Sequence, residues 1–150
     1  MNGVTKITSE QDIMMITLTN AQPASSLADV LTAFAQNGIV VDMICQSAPR
    51  AATIDFSFTT SAAYFDAAMQ TIAALGAGAA PLISSGYSKL NLFGEEMVTS
   101  CGVAACALRA LCEAEIEVSL ITTSDLDISL LVRAESEDTA LCALRKAFGL

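Results

Sequence analysis

Apolar and polar positions alternate along two short segments of this chain. Residues 54–58 read Ile-Asp-Phe-Ser-Phe, and residues 126–130 show the same alternation as Leu-Asp-Ile-Ser-Leu. Strict alternation predicts strands with one buried and one open face. A β-prone segment precedes each of them, residues 39–47 in the first case and, about 77 positions later, residues 116–124 in the second. The chain is therefore predicted to be an internal duplication.

Helical spacing separates the predicted strands. Apolar residues recur at i, i+3, i+4 and i+7 after Ser25 or Ser26, either of which can cap a helix, and Gly38 ends the pattern. Ser61 and Ser136 are the predicted caps of the second and last helices. The inward positions expected for the four helices are Leu27, Val30, Leu31 and Phe34; Phe65, Met69 and Ile72; Val103, Ala107, Ala110, Leu111 and Ala114; and Leu141, Leu144 and Phe148.

The order of elements predicts how the two copies are arranged. Strands at 13–19, 40–46, 53–59 and 82–83 give the first copy the order βαββαβ, whereas the second copy, which begins at 87–93, lacks a sixth strand. Residues 4–7 form a predicted strand that belongs to no unit. The simplest arrangement that completes both units assigns residues 4–7 to the sheet of the second unit. The predicted domain limits are then 13–84 for the first unit and 1–12 plus 85–150 for the second. The first unit is then inserted in the second.

Composition narrows the possible partners. Apolar residues make up 53% of the chain and charged residues 15%, which predicts exposed apolar surface and hence a homodimer. A formal charge of −9 with seven Lys and Arg argues against nucleic acid, whose binding depends on clustered basic residues. No leader pattern and no uninterrupted apolar span of membrane length is seen. We therefore expect a cytoplasmic protein with no membrane partner.

The sequence contains no catalytic motif. It has no His and five Cys without a Cys-x-x-Cys pair, which excludes a Cys/His zinc site and a Cys–His nucleophile. The cysteines are expected to be buried as small apolar side chains, except Cys101, which opens a predicted helix where its thiol could be reactive. No phosphate loop, dinucleotide fingerprint or metal-spaced cluster is found. The chain alone is predicted to be neither an enzyme nor a cofactor or metal protein.

Binding is the remaining function. In each unit the loop after the first strand, residues 20–26 and 95–103, meets a helix N-terminus whose free N–H groups suit a carboxylate. Polar residues of the following strand are expected close by, Asp42 and Gln46 in one copy and Ser119 and Thr123 in the other. Such a combination can hold both ends of a free α-amino acid.

Five segments resemble the tandem ACT domains that form the C-terminal regulatory region of aspartate kinase. They are residues 4–7, 37–46, 54–59, 121–129 and 140–148 and include Asp-Met-Ile-Cys-Gln at 42–46 and Ile-Thr-Thr-Ser-Asp at 121–125. The resemblance covers essentially the whole chain. It implies an α+β fold of two ferredoxin-like βαββαβ units, with antiparallel sheets, helices on one face and the first unit inserted in the second.

The resemblance also implies a function. Such regions mediate feedback inhibition by lysine, often together with threonine, bound between units of opposing chains in a homodimer. The kinase domain would be a preceding domain or a separate catalytic subunit, and ATP and Mg²⁺ would belong to it. Carried over by position, the effector contacts are Gln22, Ala24, Ser25, Ser26, Val41, Asp42, Gln46, Val118, Ser119, Ser124 and Asp125.

Two loops depart from the family pattern. Ala21-Gln22-Pro23-Ala24 stands where Asp-Lys-Pro-Gly is usual, and Ser100-Cys101-Gly102-Val103 where His-Pro-Gly-Val is typical. Sensitivity to lysine alone, or to a related diamino acid, therefore fits better than concerted control with threonine. Two alternatives are a constitutive dimerisation domain that binds no effector and a thiol redox sensor based on Cys101.

Overall fold

The computed structural model describes residues 3–22, 25–75 and 81–150, apart from the side chain of Ser25. Three short 3₁₀ turns, Ala62–Tyr64, Glu95–Val98 and Ala134–Ser136, accompany the main elements. Those elements are β1 (Lys6–Ala21), α1 (Ser25–Gln36), β2 (Ile44–Gln46), β3 (Ile54–Ser61), α2 (Phe65–Ala74), β4 (Leu82–Phe93), α3 (Val103–Glu113), β5 (Leu120–Thr123), β6 (Asp127–Arg133) and α4 (Glu137–Phe148).

The chain divides into two compact units, Asp12–Gly86 and Met1–Gln11 with Tyr87–Leu150. We call them the inner unit and the outer unit. β1 and β4 each pass from one unit into the other, and each contains a residue with positive φ at the change, Asp12 (φ 56°) and Gly86 (φ 81°). The predicted breaks between residues 4–7 and 13–19, and between 82–83 and 87–93, are therefore wrong. Exposed polar side chains such as Glu10, which pairs with Lys89 at 3.4 Å, are compatible with a continuous strand.

The inner unit has the strand order β2-β3-β1-β4. β1 and β3 run antiparallel with Ile16 opposite Phe58, and β2 runs antiparallel to β3. The predicted helix α1 is confirmed: Gly38 (φ 68°) ends it, with the Ile39 N–H bonded to the Phe34 carbonyl at 3.0 Å. Phe34 packs edge-on against Phe58 with ring centroids 5.1 Å apart. The buried core is Met14, Ile16, Leu18, Ala21, Val30, Phe34, Ile39, Ile54, Phe56, Phe58 and Ala68.

Two details of the inner unit differ from the prediction. β2 covers only three residues, because residues 40–43 follow β3 through isolated bonds, such as the Asp42 N–H to the Thr59 carbonyl, instead of a regular ladder. The buried face of α2 is formed by Ala68 and Thr71, whereas Phe65 and Met69 are exposed. Small residues let α2 approach the rest of its unit closely, and the larger apolar side chains then point outward.

The outer unit has the strand order β1-β4-β6-β5, with β4 and β5 both antiparallel to β6. The Thr5 N–H bonds to the Phe93 carbonyl at 2.8 Å, so the first strand of the chain lies beside β4. Gly94 contacts the backbone of Gly3 so closely that a Cβ at position 94 would overlap the Gly3 carbonyl. The buried core is Val4, Leu90, Leu92, Val103, Ala107, Leu111, Ile128, Leu130, Val132, Ala140, Leu144 and Phe148.

The start of α4 differs from the prediction. Ser136, the predicted cap of α4, makes no side-chain cap bond. Ser61, the predicted cap of the second helix, instead caps the 3₁₀ turn before α2 and accepts from the Ala63 N–H at 3.2 Å. Glu137 is buried and accepts a 2.6 Å hydrogen bond from Ser88 and a 3.3 Å bond from Gln11. The Ser88 hydroxyl lowers the pKa of Glu137, with help from Ser9 and Gln11 and against the effect of burial.

Both units therefore show βαββαβ topology with the same strand order, and the predicted fold class is confirmed. In the outer unit the sixth strand is the part of β1 that precedes Asp12. The division into domains at 13–84 and at 1–12 plus 85–150 stays a prediction. In the described ranges, no helix is long and apolar enough to cross a membrane.

Candidate functional site

The inner unit has a cavity where β1 leads into α1. Asn20 has a positive φ of 53°, and its N–H donates to Asp55 Oδ1 at 2.8 Å, which fixes the end of the strand. The Gln22 N–H donates to Ser26 Oγ at 3.1 Å, and α1 begins at Ser25. The cavity encloses about 310 Å³. We call it the α1 cavity; its lining is Leu18, Asn20, Ala21, Gln22, Ser26, Asp29, Val30 and Leu75.

The outer unit has a cavity at the corresponding strand-to-helix connection. Gly102, with φ 83°, precedes α3. The turn between β5 and β6 faces this helix start and is held by Ser124, whose hydroxyl oxygen accepts from the N–H groups of Leu126 (3.3 Å) and Asp127 (3.2 Å). This cavity is open to solvent, and its volume is again about 310 Å³. This α3 cavity is lined by Met97, Val98, Ser100, Gly102, Val103, Ala104, Thr123, Ser124, Asp125 and Ile128.

The two cavities occupy corresponding positions in their units but differ in the element that forms one wall. Each lies at the start of the first helix of its unit, as expected from the duplication. The second wall of the α1 cavity comes from the end of α2, at Leu75, whereas that of the α3 cavity comes from the β5–β6 turn at residues 123–125. The repeat therefore places a cavity at the start of the first helix in both units, with different elements and side chains around it.

Four of the predicted effector residues line these cavities: Gln22 and Ser26 the first, and Ser124 and Asp125 the second. Ala24 lies outside the described residues, and so does the side chain of Ser25. The remaining predicted residues, which line neither cavity, are Val41, Asp42, Gln46, Val118 and Ser119.

The predicted strand residues lie along the strand instead of meeting at one point. The Ser119 N–H bonds to the Leu131 carbonyl, and the Ser124 N–H bonds to the Asp127 carbonyl. Five strand residues span about 16 Å, so Ser119 and Ser124 lie at opposite ends of this segment, and only Ser124 lines the α3 cavity. The same separation applies to residues 41 and 46. Four polar strand residues were expected near the helix starts: Asp42, Gln46, Ser119 and Thr123. Of these, Thr123 lines the α3 cavity, and the other three line neither cavity.

Six residues that line the α1 cavity are absent from the predicted effector contacts, namely Leu18, Asn20, Ala21, Asp29, Val30 and Leu75. Asp29 follows Ser26 by three positions on α1, and this spacing places both on the same helix face. Asn20 belongs to the predicted binding loop, residues 20–26, but the sequence does not reveal its positive φ of 53°. Leu75 is remote in sequence from α1, and no local pattern connects them.

Charge favours a cationic group in the inner unit. Residues 12–86 contain one basic residue, Arg50, against five aspartates, for a net charge of −4. No Lys or Arg is among the described residues that line either cavity. An ammonium group is therefore attracted to these sites, whereas a phosphate or polyanion is repelled.

The cysteines do not follow the prediction of burial. Cys45, Cys101, Cys112 and Cys142 are exposed and Cys106 is half-buried, and none of them forms a disulfide. Cys112 and Cys142 lie on the solvent faces of α3 and α4, where the core contacts are made by other positions. Among the described residues no group of His, Cys, Asp and Glu could hold a metal ion.

Comparison with known proteins identifies the family. The sequence profile of the ACT domain matches residues 90–148. A solved structure of aspartokinase alpha and beta subunits contains a chain 30% identical to this one, with 98% of this chain and 99% of that chain aligned and a TM-score of 0.87. This chain belongs to the aspartokinase family. Its sequence and fold correspond to the ACT regulatory domains of that family, which confirms the resemblance.

Other aspartokinases agree with this assignment. The regulatory subunit of aspartate kinase from Thermus thermophilus is 26% identical, aligns over 97% of this chain and 99% of its own, and gives a TM-score of 0.89. The aspartokinase of Geobacillus stearothermophilus is 30% identical over 145 residues, which are 96% of this chain and 35% of that protein. The chain thus spans about a third of the length of the curated relatives it matches.

Proposed function

We propose that this chain senses a free amino acid and thereby regulates an aspartate kinase, an enzyme that transfers phosphate from ATP to the side-chain carboxylate of L-aspartate. The observation that carries the proposal is the 30% identity to an aspartokinase chain over nearly the full length of both. ATP and Mg²⁺ belong to a kinase domain or catalytic subunit with which the chain works, in the cytoplasm. The chain itself contributes binding, not catalysis.

Lysine is the proposed effector, alone or together with threonine, and feedback inhibition is the proposed response. The α3 cavity suits a diamino acid, because Asp125 and the hydroxyls of Ser100, Thr123 and Ser124 line it. Glu95 and Glu96 lie on the 3₁₀ turn beside it. These carboxylates favour two ammonium groups, and the N–H groups at the start of α3 favour the α-carboxylate.

Regulation follows from linkage between binding and assembly. We propose a homodimer in which strands at the edge of each sheet, such as β2 and β5, pair with those of a second copy. Such edges carry free backbone groups that favour pairing. Residues that line neither cavity, including Asp42 and Ser119, then contact effector bound to the other copy. An effector that prefers one dimer geometry shifts the kinase toward the inactive state by its differential affinity.

The test is a thermal unfolding measurement of the chain with L-lysine, L-threonine or both. A ligand that binds only the folded state stabilises it by about 2.7 kcal/mol at 100 times its dissociation constant. Saturable stabilisation by lysine that is lost in Asp125→Asn, and retained in the exposed control Asp138→Asn, supports the proposal. A dimer that responds to neither amino acid instead supports a constitutive dimerisation domain.

A further inference from the structure

The α1 cavity continues into an apolar floor. A smaller void of about 20 Å³ lies beside it, lined by Leu18, Val30, Ile72, Leu75 and Pro81. Three of these residues, Leu18, Val30 and Leu75, also line the α1 cavity itself. The void has room for about one water molecule, so the floor is closely packed. A group that enters the α1 cavity therefore has apolar side chains available to pack against.

One acidic side chain, Asp29, lines the same cavity and is exposed to solvent, and we call this exposed side of the cavity the mouth. Asp29 is the single carboxylate among the described residues of the lining, and its polar neighbours Asn20, Gln22 and Ser26 are uncharged. Ser26 already accepts the Gln22 N–H. One ammonium can therefore be neutralised in this cavity, whereas a second ammonium would find no second carboxylate among these residues. Removing a charge from water without a partner is strongly unfavourable.

We propose that the α1 cavity binds a free α-amino acid with an uncharged, apolar side chain. The α-ammonium pairs with Asp29, the α-carboxylate accepts from the free N–H groups at the start of α1, and the side chain packs on Leu18, Val30 and Leu75. The volume of about 310 Å³ accommodates an amino acid of this size. This inference rests on the proposed function and extends it: the inner unit recognises an apolar amino acid, while the outer unit recognises lysine. The duplicated units are then sensors of different chemistry.

The experiment is isothermal titration calorimetry of the chain at pH 7 with L-valine, L-leucine or L-methionine, and separately with L-lysine. Asp29→Asn removes the charge from the mouth, with Asp66→Asn, an exposed acid on α2, as its control. Leu75→Ala shortens the floor, with the exposed Leu82→Ala as its control. Leu75 is 40% exposed, so its truncation does not endanger folding.

At least one of the three apolar amino acids is expected to bind saturably. Loss of a hydrogen bond to a charged group corresponds to a loss of affinity of about tenfold or more, which we expect for Asp29→Asn, with a smaller loss for Leu75→Ala. The two controls are expected to stay within about twofold of the original affinity, as surface changes usually do. Lysine binding is expected to be unaffected by Asp29→Asn and weakened by Asp125→Asn.

The outcomes separate this inference from the proposed function. Lysine binding without any response to the apolar amino acids overturns the inference and leaves the proposed function in place. Apolar binding that Asp29→Asn and Leu75→Ala leave intact also overturns the inference, because the ligand then sits elsewhere. Apolar binding that both variants weaken supports it, even if lysine does not bind and the proposed effector is wrong. No binding of any of the four amino acids contradicts both.

Discussion

Replacing Ser88 by Ala tests the buried polar contact at the start of α4. Ser88 is fully buried, and its hydroxyl donates a 2.6 Å hydrogen bond to Glu137, which is only 7% exposed. Hydrogen bonds to charged groups contribute about 1.5–3 kcal/mol to stability, and Gln11 still donates to Glu137 in the variant. We therefore expect Ser88→Ala to lower the free energy of unfolding of the outer unit by about 2 kcal/mol at pH 7.

The assay is urea unfolding followed by tyrosine fluorescence. The chain has two Tyr and no Trp, so a Tyr64→Phe background leaves Tyr87, next to Ser88, as the reporter of the outer unit. With an m-value of about 1 kcal/mol/M for a small domain, the urea midpoint is expected to fall by about 2 M. The control is Ser57→Ala, which removes a 2.8 Å bond between two neutral hydroxyls in the inner unit and is measured in a Tyr87→Phe background, where Tyr64 reports that unit; its expected cost is about 1 kcal/mol.

The pH dependence makes this prediction specific. The Ser88 hydroxyl lowers the pKa of Glu137 in the folded state. The stability that this hydrogen bond contributes while Glu137 is ionised is therefore complete above the pKa of the unfolded state, which is about 4.3 for a glutamate. That contribution is lost as the pH falls through the lower pKa of the folded state. The effect of Ser88→Ala should shrink toward the control value in acid. A loss of stability that equals the control at pH 7, or that does not change with pH, would refute the reasoning.

Two further substitutions test the packing of each unit. Phe34→Ala removes a fully buried ring that packs on Phe58 and is expected to destabilise the inner unit by about 3–5 kcal/mol, measured by urea unfolding; a loss below 1 kcal/mol would contradict the assigned core. Gly94→Ala is expected to displace the Gly3 backbone, seen as faster amide exchange near the N-terminus. Its control Gly38→Ala, at a position with open space but φ 68°, should cost only about 1 kcal/mol of local strain.

Sequence patterns predicted those elements whose signal lies within a single helix or strand. α1 followed from apolar positions at helical spacing together with Gly38, because both signals are decided within one helix. β3 and β6 followed from alternation, since a strand with one buried face requires it. The order of these elements was sufficient for the fold class and for assigning the first strand to the outer sheet.

Features that depend on distant residues were not predictable in this way. The buried face of α2 was wrong because Ala68 and Thr71 are selected by close approach to other elements, whereas hydrophobicity pointed to Phe65 and Met69. The continuity of β1 was missed because polar side chains at its centre resemble a loop, although strand pairing supports them. The wall that Leu75 gives to the α1 cavity has no signature in the helix that it faces.

The same division explains why two equal scaffolds carry cavities with different linings. Cross-strand polar pairs are repeated, with Thr17 bonded to Ser57 in the inner unit and Asn91 to Ser129 in the outer unit, so the sheets have kept corresponding contacts. The cavity walls differ because they come from non-equivalent segments, the end of α2 in the inner unit and the β5–β6 turn in the outer unit, and they vary without disturbing the sheets. A ligand of either cavity shifts an equilibrium only by its differential affinity for the two states. If the two cavities bind different amino acids, as proposed, the two ligands reinforce each other when both prefer the same state and oppose each other when they prefer different states.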